Sequence, residues 1–228
     1  MTPRHVVARI AMSLLLAGSA WFASCRHGDA EPVAEFPSTL QGARLAFVFT
    51  GDDGATAAIR ELARRLARAG VPSVVVASGE TPDSPRETGD EIDRLVRQHL
   101  SGWDRDRLLL IGAARGAGML PFVANRMGRD LRDRVDAIVL VDVPERVSFR
   151  REWKLPWRAV PRPTDLPILP ELERMRGIPL LCLYERGDRE AFCPSLDPAL
   201  VKREVAPRSI SWGSDGDALA RRVLAFVR

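Results

Sequence analysis

The sequence predicts a single α/β domain, with a mostly parallel sheet, helices on both faces and an irregular, cap-like insertion. Two observations predict it. Short runs at 45–50, 74–76, 108–111, 137–141 and 178–184 are apolar almost throughout, which is how strands read when both faces of a sheet are covered. Between most of these runs lie segments whose apolar residues recur at helical spacing, the alternation that builds a parallel sheet. With 228 residues, 46% of them hydrophobic, the chain suffices for one domain with a real core and not for two large ones.

The chain opens with Arg4, His5 and Arg9, without acids, and then an apolar run from 10 to 22. That run is too short to span a bilayer comfortably and reads as a secretory signal. Phe22-Ala23-Ser24-Cys25 follows, two small residues before a cysteine. This is the pattern of a lipoprotein signal, so 1–24 is expected to be cleaved and Cys25 to carry lipid. The competing reading is an uncleaved membrane anchor. Both place the folded part outside the cytoplasm on a membrane surface, and the expected location is the periplasmic side of a bacterial envelope.

Residues 25–42 read as a polar tether and 43–228 as the domain. The first strand, 45–50, ends in Gly51-Asp52-Asp53-Gly54, a turn. Ile59, Leu62, Leu66 and Ala69 mark a helix stopped by Gly70, and Val74-Val75-Val76 a second strand. Ile92, Leu95, Val96 and Leu100 give the next helix its apolar face. The third strand closes at Gly112, a helix runs from about 116 to 127, and the fourth strand is 137–141. From 144 to 177 the pattern dissolves into prolines, Trp153 and Trp157, an excursion of the kind that caps a site. The fifth strand follows, and 217–227 is a last helix.

Charge excludes one class of partner. Apart from Arg4 and Arg9 the chain carries acids and bases interspersed, with a formal net charge of only +4 over its whole length, and no basic stripe for nucleic acid emerges. Setting Cys25 aside leaves Cys182 and Cys193, a pair in a compartment where disulfides persist, and a bridge between them is expected. The other reading is two buried free thiols.

The third strand leads into Gly112-Ala113-Ala114-Arg115-Gly116. In α/β-hydrolases a serine stands at the centre of such a strand-to-helix turn, G-x-S-x-G, with its hydroxyl exposed near backbone N–H groups that stabilise an oxyanion. Here the turn glycines are present and Ala114 holds the nucleophile's place. The base is missing too. The chain has only His5, His27 and His99; His99 lies in the second helix as a surface or satisfied helical residue, and none follows the fifth strand.

From about residue 45 to 228 the chain resembles the VirJ family and the matching domain of AcvB, periplasmic proteins whose members include hydrolases of lysyl-phosphatidylglycerol. The family's first turn, roughly S-G-D-G-G-W, is matched by Thr50-Gly51-Asp52-Asp53-Gly54-Ala55. Its elbow, G-Y-S-F-G-A-D-x-L-P-F, is matched by Gly112-Ala113-Ala114-Arg115-Gly116-Ala117-Gly118-Met119-Leu120-Pro121-Phe122. A Cys-x-Tyr motif followed by acids and Cys-Pro falls on Cys182-Leu183-Tyr184 through Asp188 and Glu190 to Cys193-Pro194. The resemblance implies an α/β-hydrolase fold and makes Asp188 the candidate remnant acid, against an ordinary turn residue. It sets Trp212 or Gly213 where the histidine would stand.

Loss of nucleophile and base together reads as a pseudoenzyme, since such a triad works as a unit. The turn at Gly51, Asp52 and Asp53 and the helix opening beside Arg115 still suit an anionic oxygen, so a lipid head group or protein partner at the envelope is the expected ligand. Arg115 would add charge there or pair with Asp53. No cofactor or metal is implied. One alternative is hydrolysis of lysyl-phosphatidylglycerol or a related ester by carboxylates drawn from Asp52, Asp53, Asp188, Asp215 and Asp217. Another, a short-chain dehydrogenase, needs Tyr followed four residues later by Lys, whereas Tyr184 has Asp188 there.

Overall fold

The computed structural model describes residues 33–150, 164–188, 191–207 and 212–228. Cys25, His5, His27, Trp153, Trp157 and Glu190 lie outside them.

Among the described residues, nine strands and six α-helices follow in chain order: β1 Val33–Phe36, β2 Arg44–Thr50, α1 Ala57–Arg68, β3 Ser73–Ala77, α2 Pro85–Gly102, β4 Arg107–Ala113, α3 Arg115–Arg126, α4 Arg129–Arg132, β5 Val135–Val141, β6 Arg146–Val147, β7 Leu166–Pro167, α5 Leu169–Glu173, β8 Leu180–Tyr184, β9 Lys202–Val205 and α6 Gly216–Phe226. Seven of the strands form one sheet in the order β1-β3-β2-β4-β5-β8-β9. All its neighbours run parallel except β1, which is antiparallel to β3. The expected α/β architecture is present.

Alternation along each central strand divides the core in two. Leu45, Phe47 and Phe49 of β2, with Leu108 and Leu110 of β4, face the side covered by α2 and α3. Ala46 and Val48, with Leu109 and Ile111, face the side covered by α1 and α6. A one-residue slip would exchange the two sets, so the bulky-small alternation itself specifies register. Helix starts are capped by side chains: Thr56 accepts from the Ile59 amide, Ser84 from Glu87, and Asp215 from Ala218 at 2.8 Å.

Three segments differ from the sequence-based expectation. Val33–Phe36, within the expected tether, is the edge strand β1. Its four residues are too few to show a period, and tertiary pairing with β3 makes the strand. Lys202–Val205, which the sequence reading left unassigned, forms the opposite edge, β9; its charged residues give no apolar run. The flanks of the 144–177 excursion are more regular than expected. β6 pairs antiparallel with β7, and Val147, Phe149, Ile168 and Leu172 are buried in the same core as α3. Glu171 is buried there because Asn125, Arg126 and Arg174 all bind its carboxylate.

Cys182 and Cys193 are bridged, and both are fully buried. The bond ties β8 to a short 3₁₀ turn, Cys193–Ser195, on the α3 side of the sheet. Among the described residues no helix is long and apolar enough to cross a membrane.

Candidate functional site

The carboxyl ends of the parallel strands β2, β4, β5 and β8 lie at one end of the sheet, and the turn at Gly51–Asp53, the elbow and Asp188 follow them. β4 ends at Ala113 and α3 starts at Arg115, so the chain reverses at Ala114, with φ 52° and ψ −127°. Those angles are disfavoured for a residue with a side chain. What holds them is packing on either side. A Cβ on Gly116 would stand 2.2 Å from the Phe49 carbonyl oxygen, and one on Gly112 would stand 2.6 Å from Cα of Ala117. The Ala114 amide donates to the Val141 carbonyl at 3.0 Å, and its carbonyl accepts from Ala117 at 2.9 Å. The elbow is therefore formed, and what it presents is a methyl group.

Gly51 lies against this turn, 3.6 Å from the Ala114 methyl when given a Cβ. Asp53 is exposed at the same β2 turn. Of the two acids at the turn, Asp52 is the one that Arg115 Nη1 binds. Ser78 Oγ also donates to Asp52 Oδ1, at 3.3 Å, so the Asp52 side chain is turned toward the end of β3. Arg115 further donates through Nε to the Ser148 carbonyl and through Nη2 to the Arg150 carbonyl, each at 3.1 Å. The guanidinium is engaged on three sides and ties the β2 turn to the end of the 144–150 segment. Of the first-turn amides of α3, that of Ala117 is taken by the Ala114 carbonyl, while those of Arg115 and Gly116 have no acceptor within the helix and lie at its amino end.

Asp188 is exposed at the end of a turn after β8, where its amide donates to the Glu185 carbonyl at 3.3 Å. Asp188 stands near Asp142. Asp142 follows Val141, the register partner of Ala113, so it comes opposite Ala114 across β4 and β5. It too has φ 52°. Its Oδ1 is buried without a hydrogen-bond partner among the described residues. Burial, with Glu185 and Asp188 nearby, pushes its carboxyl up to about 6. An acid closing an apolar strand was the available signal, and only the structure shows its surroundings.

The histidine's place is filled differently. Trp212 is 2% exposed and packs in the core beneath α1 and α6. Its Nε1 has no partner among the described residues. Gly213 is exposed beside it. Asp215 caps α6, and Asp217 pairs with Arg65 and Arg221 on the helical surface. The proposed carboxylate set is thus split between the elbow and the outer helices. Among the described residues no group of three or more His, Cys, Asp or Glu is placed to hold a metal. A surface cleft of about 450 Å³ lies at the opposite end of the sheet, beside the start of β8 and β9.

A family model described as "Bacterial virulence protein (VirJ)" matches residues 43–228. No curated protein matches the chain. Among solved structures, a putative dienelactone hydrolase from Klebsiella pneumoniae subsp. pneumoniae is 16% identical with a TM-score of 0.56, covering 86% of this chain and 98% of that one. Est1E from Butyrivibrio proteoclasticus is 12% identical with a TM-score of 0.58, covering 86% and 93%. MenH from S. aureus is 13% identical with a TM-score of 0.58, covering 86% and 98%. At such identities these likenesses show the α/β-hydrolase fold.

Proposed function

We propose, from the premise that the chain belongs to the VirJ family of bacterial virulence proteins, that it is an exported, non-catalytic member whose elbow binds a lipid head group or protein partner at the cell envelope. The observation that carries this reading is the methyl group of Ala114 where a nucleophile would stand. A methyl can neither attack a carbonyl nor accept a proton. His99, the one histidine among the described residues, is held on α2 by Glu35 and the Leu95 carbonyl, so it offers no base to the elbow.

The binding part of the reading rests on geometry that outlasts chemistry. The first-turn amides of α3 and the closely packed β2 turn suit an anionic oxygen. Arg115 acts there as a strut, since its guanidinium is already bound to Asp52 and to two carbonyls. Attachment through Cys25 would hold this face near the membrane.

A second reading is carboxylate-based hydrolysis of lysyl-phosphatidylglycerol or a related ester. One observation favours it, the half-buried Asp142 beside the elbow, whose carboxyl burial and the neighbouring acids raise to about 6. The two readings separate on one experiment. The purified domain is assayed for fluorophosphonate labelling, for turnover of lysyl-phosphatidylglycerol, and for binding to vesicles with and without that lipid. Absence of labelling and turnover, with retained vesicle binding, supports the binding protein. Turnover by the unmodified chain that disappears in Asp142→Asn overturns it in favour of the carboxylate enzyme.

A further inference from the structure

The chain enters the domain at the same end of the sheet as the elbow. β1 is antiparallel to β3, with Val33 opposite Val76 and Phe36 opposite Ser73, so β1 begins at the carboxyl end of β3. The parallel registers carry that level across the sheet, with Thr50 opposite Ala77 and Phe49 opposite Gly112. Val33 therefore stands at the end where the Gly51–Asp53 turn and Ala114 lie. A β1 parallel to its neighbours would instead have begun at the far end, where the cleft beside the start of β8 and β9 lies.

Length turns this placement into a constraint. Cys25 is eight residues before Val33, and eight residues span at most about 29 Å when fully extended. A domain of this size is about 40 Å across. Set down on its far end, it would carry Val33 about 40 Å above a bilayer, beyond the reach of a chain anchored at Cys25. Set down on the elbow end, it keeps Val33 near the surface with tether to spare. Charge does not impose the choice. The exposed residues following the parallel strands include Asp53, Glu145, Arg146, Arg186 and Asp188, acids and bases mixed, with no basic face to draw the domain onto anionic lipid.

We infer that the short tether and the antiparallel β1 together set the elbow end against the bilayer in which the chain is anchored, so that the elbow takes its head group from that same leaflet. The inference rests on the reading of Cys25 as the lipid-bearing residue. It narrows the ligand of the elbow to a component of the membrane surface, and it turns the cleft at the far end away from that surface.

Energy transfer from the full chain to phosphatidylcholine vesicles carrying a head-group acceptor reads the orientation. With Cys25 acylated and Cys182 bridged to Cys193, a cysteine introduced by Arg186→Cys or Arg176→Cys is the single thiol open to a donor dye. Both positions are exposed, Arg186 beyond the carboxyl end of β8 and Arg176 before its start. Transfer should be about threefold more efficient from position 186, because the two heights differ by a good part of the domain's diameter. The difference should persist in about 1 M salt, where surface charge is screened within about 3 Å. Inserting about twenty Gly and Ser residues after Ala30 adds about 70 Å of reach, and transfer from the two positions should then become alike. Equal transfer from both positions of the vesicle-bound chain with its own tether overturns the inference and leaves the anchor standing. So does a difference that survives the long tether. A chain that stays in the aqueous phase with Cys25 unacylated overturns the anchor reading, and the inference with it.

Discussion

The elbow after β4 and the turn before α6 are built in opposite ways. At the elbow Gly112 and Gly116 force the reversal, and a methyl stands at its tip. Before α6, where the resemblance sets Trp212 or Gly213 in the histidine's place, Trp212 is packed inside with the α1 and α6 side chains and Gly213 is exposed. The difference follows from what each place must satisfy. The elbow sits where α3 presses on β2 and β4, so its shape is fixed by the core whatever its side chain does. Beside the turn before α6 the backbone is held as closely, since a Cβ on Gly216 would stand 2.0 Å from the Ala58 carbonyl oxygen, and a large apolar residue there gains burial.

The largest test of that comparison is Gly116→Ala. The added methyl would meet a backbone oxygen 2.2 Å away, so β2 and α3 must separate. A loss of about 3 kcal/mol or more in urea unfolding, or failure to fold, is expected. A well-tolerated alanine would break the claim that packing holds the elbow.

Replacing both Cys182 and Cys193 by alanine should cost about 2–3 kcal/mol, the range for closing a short loop. They are separated by 11 positions, and an unchanged urea midpoint for the double variant would mean that the bridge contributes no stability. Ala114→Gly probes the elbow from the other side. Glycine tolerates the backbone angles that alanine resists, so a gain of about 1 kcal/mol is expected in thermal unfolding. A loss would mean the methyl makes contacts worth more than the strain.

The smallest effect is a pH dependence. Burial raises the Asp142 carboxyl to about 6 in the folded protein from 3.8. Above the folded value both states are ionised and the burial penalty acts in full. Stability should therefore rise as pH falls from about 7 toward about 4. For a group this exposed the gain is on the order of 1 kcal/mol after solvent screening. Asp142→Asn should remove that part of the slope, and an unaltered slope would show that Asp142 does not carry it.

The central sheet was legible because β2, β4, β5 and β8 are buried on both faces and carry unbroken apolar runs. β1 and β9 were not, since their strand character comes from the neighbour they pair with. Alanine at the centre of the elbow was legible at Ala114, where the flanking glycines mark the position. The pairing of Arg115 was left open by the sequence because two adjacent acids occupy the turn, and only the fold shows that Asp52 is the one bound by Arg115 and facing Ser78. Asp142 and the contact from Glu35 to His99 depend on residues distant in sequence, which no local pattern announces.

The two outer strands also bear on how copies of the protein behave toward one another. An open sheet exposes a row of unpaired amides and carbonyls at each end, a template on which another chain can add. Here both margins are only four residues long. One is antiparallel to the rest and carries Glu35; the other carries Lys202, Arg203 and Glu204, with Glu204 bridged to Lys202 and Arg222. Short, charged margins of this kind resist strand-to-strand fusion, so the domain is suited to crowding at high local density without aggregating through its sheet.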